Sequence, residues 1–337
     1  LARQRVIGRF IGCQRPRQRL ISEMPSTTSI SVPNCPLCNG TSSTLFDQRT
    51  FRGILVSNRL CKTCGLVFQS PRMSDRELDA FYKQEYRQLY QDSQGPNPKD
   101  LAIQAARAQL LLDFFTGAFT PDSSNSALQY PARHLDIGCS AGLLLQRFQR
   151  AYACQPVGIE PGTAYRDYAR SLGLEVYPSL STFDTESSER ESKSPTFDLI
   201  SMAHVLEHIA NPVEYLIGLR QQRLTPDGWL LVETPNLYGH DCFEVAHCVS
   251  YSPHTLGQVL ERAGYQPRKI QVHGQPRSEI LSLYITVLAQ ATSGSNPTQT
   301  TPEHNVRRKR RTAMLRRAVL SRISPHKAWL PVPDVVP

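Results

Sequence analysis

No apolar run in the 337 residues approaches the roughly 18 needed to cross a bilayer, so a soluble protein is expected. Acidic residues are missing from the first 22 positions, which hold six arginines, and the apolar centre of a secretory signal is missing there too. Also absent are the three-glycine fingerprint of dinucleotide-binding enzymes and the Gly-Lys-Ser/Thr end of a P-loop. Neither a pyrophosphate nor a triphosphate site is therefore expected.

The formal charge of +9 is unevenly spread. Residues 1–24 carry +5 and residues 301–337 carry +7, which leaves −3 for residues 25–300. A basic chain ordinarily points to nucleic acid or to an anionic membrane, but here the basicity belongs to the tails. The body need not bind a polyanion. At this length, with 40% hydrophobic residues, the chain can bury one large core and carry a smaller module.

Two cysteine knuckles mark that module. Cys35-Pro-Leu-Cys38 and Cys61-Lys-Thr-Cys64-Gly65 offer four thiolates, the donor set of a closed tetrahedral Zn²⁺ site, and the β-rich residues 43–60 between them suit two hairpin arms. The other five of the nine cysteines, Cys13, Cys139, Cys154, Cys242 and Cys248, are scattered. That pattern speaks for a reducing compartment, with a cytoplasmic location expected, and against a disulfide framework. A thioredoxin-like redox motif would need a single pair on a βαβ unit.

The most informative stretch is His134-Leu-Asp-Ile-Gly-Cys-Ser-Ala-Gly142, followed by Val157-Gly-Ile-Glu160. An apolar strand running into a glycine turn and a helix brings the backbone close to a ligand, and an acid ending the next strand can hold ribose hydroxyls. Two glycines alone mark no more than a strand-to-helix turn. The order of later segments decides. Phe197 to Met202 is an apolar strand, His204-Val-Leu-Glu-His208 follows, and Asn211-Pro212 opens a helix. Leu224-Thr-Pro-Asp-Gly228 is a turn, and Trp229 to Asn236 a further strand.

With these five motifs in order, residues 33–290 resemble the class I S-adenosylmethionine-dependent methyltransferases, in a zinc-ribbon-bearing branch similar to sugar C-methyltransferases. The resemblance implies an α/β, doubly wound Rossmann-like sheet with a small N-terminal zinc ribbon. It places S-adenosylmethionine against Asp136, Gly138, Cys139, Gly142, Glu160, Pro161, Ala203 and His204. It also implies domain limits: a basic tail over 1–32, the ribbon over 33–72, a helical lid and linker over 73–130, the cofactor domain over 131–290, and a second basic tail over 291–337. Because similar enzymes begin near their first cysteine pair, the Arg-rich start is expected to be an extension ahead of Met24 or a Leu-translated start codon, in preference to a transit peptide.

Methyl transfer is an in-line displacement at a sulfonium carbon, so the protein aligns donor and acceptor and often removes a proton. His204, His208, His240, His247 and His254 are the candidate bases. Residues 246–256 resemble the Glu-His-x-x-Tyr-Phe-Ser stretch of the sugar enzymes, in which the Glu-His pair is implicated in proton abstraction. This puts His247 and Tyr251 forward as catalytic residues. Ala246 stands where that family has Glu, so either acidic help comes from elsewhere or the substrate differs.

Smaller expectations complete the reading. Ser74-Asp-Arg-Glu77 is a capping box for an aromatic-rich helix through Phe81, Tyr82, Tyr86, Leu89 and Tyr90, with Phe81 and Leu89 facing the core. Residues 185–195 read as a charged, Ser-rich surface loop, and residues 305–323 as a basic amphipathic helix fit for weak membrane-surface contact. The function expected is methyl transfer to a small molecule: a sugar, nucleotide sugar or glycan. The alternatives are a nucleic-acid methyltransferase, disfavoured by the −3 body and by Glu233-Thr-Pro-Asn236 in place of an Asn-Pro-Pro-Tyr signature, or a non-catalytic adaptor keeping the fold.

Overall fold

The structure is a computed structural model that describes residues 29–51, 53–84, 95–119, 131–190, 195–241, 243–292 and 299–333. The expectations for Tyr86, Leu89, Tyr90, Cys13, Cys242 and the whole 120–130 linker lie outside them.

The cofactor domain is a seven-stranded sheet. Its parallel strands are β6 (Arg133–Ile137), β7 (Gln155–Ile159), β8 (Glu175–Tyr177), β9 (Phe197–Ala203) and β10 (Leu224–Pro235), and the antiparallel edge pair is β12 (Tyr265–His273) and β13 (Tyr284–Ala291). The spatial order is β12-β13-β10-β9-β6-β7-β8. The chain thus winds one way from β6 to β8 and the other way from β9 to β10, and the strand order switches between β6 and β9. In open α/β sheets ligands bind at such a switch, beyond the carboxyl ends of the strands.

Both faces of this sheet are buried, and the strand period of two sorts the side chains. Ile200, Met202, Leu230, Val232, Ile285 and Val287 join one apolar cluster, while Leu199, Leu231 and Leu288 point into the other. The second cluster is closed by α2 (Pro98–Thr116) and α3 (Leu143–Tyr152), whose Phe115 and Phe148 rings meet edge to face at 5.2 Å. Asn97 starts α2, its side chain accepting from the Asp100 amide, with Pro98 at the first turn.

The ribbon is a hairpin of β2 (Ser43–Phe51) and β3 (Ile54–Cys61), as the residues between the cysteine pairs imply, with β4 (Val67–Gln69) beside β3. The Ser74 to Glu77 capping box forms, opening α1 (Asp75–Gln84) with Phe81 buried. A short pair, β1 (Ser29–Ile30) with β5 (Arg72–Met73), lies at the ribbon's end. The ribbon sheet is finished by a distant segment: β11 (Val249–Ser250) pairs with β4.

Three local expectations are corrected. Residues 185–190 belong to a helix, α5 (Leu180–Arg190), because Ser179 caps the Thr182 amide and Phe183 is anchored in the core. The turn at 224–228 is a bulge inside β10: Leu224 pairs with Phe197 and Trp229 with Leu199, and the buried Leu224 holds the strand in register. Asn211 precedes α6 (Pro212–Gln222), but its side chain makes no cap, so Pro212 supplies the helix start. The remaining helices are α4 (Thr163–Ser171), α7 (Pro253–Arg262), α8 (Val306–Ile323) and α9 (Pro325–Ala328). Helix α8 is no free tail, since Val306 and Arg310 are buried against the body.

Candidate active site

Residues at the carboxyl ends of β6, β7, β9 and β10 converge on the switch. After β6, Gly138 and Gly142 take φ of +74° and +75°, and a Cβ on either would come within 2.5 Å of Val205 or Leu174. Both positions therefore require glycine. The loop amides are already engaged: those of Gly138 and Cys139 donate to the Ile159 carbonyl, Ser140 to Glu160 and Ala141 to Gln104. The loop would thus meet a ligand by close approach of its backbone.

Glu160, just past β7, is 3% exposed. Its two oxygens accept from the Gly162 and Ser140 amides at 2.8 and 3.0 Å, and Arg166 donates to the Glu160 and Pro161 carbonyls. Backbone donors on both oxygens fix the orientation of the carboxylate at the end of β7. Asp136 is also buried, and its partner is Ser201 on β9, whose hydroxyl donates at 2.6 Å and itself lies 2.8 Å from His134 Nε2. Burial pushes the Asp136 carboxyl up to about 7, against the opposing Ser201 hydrogen bond.

The end of β9 carries the densest charge. Ala203 ends the strand and His204, at φ +56°, follows it. The His204 ring sits between two buried carboxylates, Nδ1 3.3 Å from Glu207 and Nε2 3.2 Å from Glu233. Glu233 on β10 also meets Arg107 of α2 at 2.8 Å, His273 at 3.4 Å and the Thr286 hydroxyl. Burial disfavours the charge on Glu233, but Arg107 and the two imidazoles outweigh it and hold the carboxyl well below its usual range. Burial is likewise overcome at Glu207, held at about 2 chiefly by His204. Burial and Arg107 oppose the charge of His204, yet its two carboxylate neighbours raise it.

Neither oxygen of Glu207 accepts an aligned hydrogen bond among the described residues. Glu207 shares a cleft with Asn236, His240, His247 and Arg310. His247 is buried, with Nε2 3.7 Å from Glu244 and its ring 4.9 Å from that of His208. His208 Nδ1 lies 3.0 Å from the Ala246 carbonyl, which turns Nε2 toward Glu207 at 3.9 Å. Burial brings His208 down to about 4 and His240 to about 3. With Ala at position 246, the acids that stand near His247 are Glu244 and Glu207. Ligand atoms of Glu207, His208 and His247 lie within 4.8 Å of one another, a separation that would also suit a cation.

Tyr251 departs from its expected role. It is fully buried, and its hydroxyl donates to the Leu206 carbonyl at 3.2 Å, fixing the turn that carries Glu207 and His208. Burial raises that hydroxyl well above its ordinary value, away from acid–base work. His254 is half-buried, its Nε2 2.9 Å from the Thr301 carbonyl. A larger cavity of about 580 Å³ opens at the amino ends of β6 and β7, beside Arg133 and Gln155, and holds none of these groups.

The four knuckle sulfurs form a second cluster. Cys35 and Cys64 approach to 3.5 Å, Cys38 and Cys61 to 3.6 Å, and all four lie within 4.8 Å of one another. A tetrahedron with Zn–S of about 2.3 Å needs sulfurs roughly 3.8 Å apart, so the donor set fits. Hydrogen bonds from Cys35 and Cys64 hold the Cys61 thiol down, and Cys35 is pushed up to about 12 in return.

A family model described as a methyltransferase domain matches residues 103–270. The ubiquinone biosynthesis O-methyltransferase of Ruegeria sp. is 32% identical over 180 residues, covering 46% of this chain and 70% of that protein. The chain belongs to the class I S-adenosylmethionine-dependent methyltransferases. The protein of the same name from Roseobacter denitrificans is 32% identical over 133 residues, 37% of this chain. The chain spans about half of that relative's length, 51%. Among solved structures, the Burkholderia thailandensis 1,6-didemethyltoxoflavin-N1-methyltransferase is similar at 16% identity and a TM-score of 0.47, over 68% of this chain and 96% of that one. The family match leaves the ribbon and α8 outside it.

Proposed function

We propose that this methyltransferase moves the methyl group of S-adenosylmethionine to a small-molecule acceptor held in the cleft of Glu207, His240 and His247. The observation that carries this reading is the placement of Glu160 beyond the carboxyl end of β7 and of the buried His/Glu cluster beyond those of β9 and β10, on either side of β6. Glu160 accepts the ribose hydroxyls, the Gly138 to Gly142 turn lets the adenosyl moiety approach, and Asp136 answers the cofactor's ammonium through water. When bound, the cofactor supplies an electrophilic methyl on sulfur.

His247 takes the acceptor's proton, with Glu244 and Glu207 stabilising the imidazolium that results. Glu233, paired in charge with Arg107 and flanked by His204 and His273, keeps the wall of the pocket ionised. The relatives are named O-methyltransferases of ubiquinone biosynthesis, which favours an oxygen acceptor. A second reading, a sugar, nucleotide sugar or glycan acceptor, is favoured by the segment around His247 and by the two cysteine knuckles. Cys35, Cys38, Cys61 and Cys64 would hold one structural Zn²⁺ that closes the ribbon. Calorimetric titration with S-adenosylmethionine, then radiolabelled transfer to a panel of phenols, nucleotide sugars and glycans, tests both levels. Failure to bind the cofactor sinks the proposal, and the labelled acceptor class chooses between the readings.

A further inference from the structure

Helix α8 lies outside the matched methyltransferase domain and is fixed by its inner face. Arg310 donates to the Leu237 and His240 carbonyls, Arg317 to Gly239 and Arg307 to Phe46, and Trp329 of the following turn bonds Ser321. These bonds determine what the other face presents. Leu315, Val319 and Ile323, at intervals of four, form one ridge and are 66%, 43% and 73% exposed. Arg308, Arg311, Arg316 and Arg322 are exposed on the same helix, and residues 304–333 contain no acid.

A solvated helix has no use for three exposed aliphatics in line, and a nucleic-acid backbone needs cations but no apolar ridge. Arginines around an aliphatic ridge on a rigidly held helix match a bilayer surface, with apolar side chains entering below the headgroups and guanidinium groups meeting phosphate. The Arg-rich residues 1–24 are ill suited to cover this face, since like charges would meet. A second copy of the face would repel it in the same way.

We propose that the outer face of α8 is a docking surface for an anionic lipid bilayer. No helix of the described residues is long and apolar enough to cross a membrane, so the contact is with the surface. Arg310, on the inner face of the same helix, lines the cleft that holds His240 and His247. Docking would therefore seat the acceptor cleft beside the membrane, and it is independent of which acceptor is used.

The test is flotation of the full chain with phosphatidylcholine vesicles, alone or containing about one-third phosphatidylglycerol. Wild-type protein is expected to float with the anionic vesicles only, and to be released as salt rises from about 0.1 to about 0.5 M. The Leu315→Ser/Ile323→Ser double variant should bind at least roughly tenfold more weakly, with its thermal transition and cofactor affinity unchanged. Arg311→Gln/Arg316→Gln should weaken binding without touching the ridge. Equal binding to neutral and anionic vesicles would overturn the proposal. So would undiminished binding of both variants, which would assign the contact to residues 1–24. Dissociation of a dimer by the ridge variant, without vesicle binding by the wild type, would assign the face to a copy of the chain.

Discussion

Replacing Asp136 by Asn should make the ligand-free protein more stable and the cofactor complex weaker. The carboxyl is buried on a central strand and is pushed from 3.8 up to about 7 by burial. A gap near three units, at about 1.4 kcal/mol each, sets an upper bound of about 4 kcal/mol on the stability lost when the folded chain must ionise it. Relaxation around the charge leaves roughly 2 to 4 kcal/mol. The sign follows from proton counts. Between pH 4 and 7 the folded chain binds this proton and the unfolded chain has lost it, so stability falls as pH rises through that window and levels off above it.

Asn imitates the neutral form, and its carbonyl can still accept from Ser201. Thermal melts of the ligand-free protein should show Asp136→Asn above wild type at pH 8, with the advantage shrinking toward pH 5. Calorimetry at pH 8 should show S-adenosylmethionine binding weakened about tenfold or more, because the ammonium has lost its anionic counterpart. A variant that melts below wild type at both pH values would mean that the carboxylate is stabilised in the fold. Unchanged cofactor affinity would refute the role given to Asp136 in the site.

Glu160→Ala removes two charge-assisted acceptors and should weaken cofactor binding by about 3 kcal/mol, a loss of over a hundredfold readable by calorimetry. Elemental analysis of the reduced protein should find one zinc per chain, and Cys61→Ser should lose it and loosen the ribbon in hydrogen exchange while retaining cofactor binding. His247→Ala should lower turnover by ~10²-fold or more with little change in cofactor affinity, because it acts on the acceptor. Full turnover in that variant would leave alignment of an already nucleophilic atom as the mechanism.

The parts of the site that were legible in sequence are those written within one strand-turn-helix unit. The glycine turn, Glu160 and the His204 to His208 motif each sit at a strand's carboxyl end, and short-range patterning carries them there. What was not legible is convergence. Arg107 sits mid-helix with no local signal, and its meaning appears only when α2 lays it against Glu233 across the sheet. Glu244, three residues before His247, reads as an ordinary loop acid until the backbone folds the two together. Composition misled where a few buried side chains outvoted many polar ones, as at Phe183 in α5 and Leu224 in β10.

The ribbon and the catalytic segment are also less separate than their spacing in sequence implies. β11 follows His247 by one residue and pairs with β4, which follows the second knuckle, and the Gln69 amide donates to the Cys248 carbonyl. On the other side, the Glu303 amide donates to the Cys64 carbonyl, and its carboxylate accepts from Tyr238, Ser252 and Lys309. The second cysteine knuckle is thereby tied to both flanks of the segment that carries His247. Glu160 and the glycine turn are held instead on β6 and β7. Loss of metal should therefore divide the two halves of the reaction: the cofactor still binds, but the base is no longer held against the acceptor. The small ribbon would then serve catalysis by fixing the second substrate's side of the site.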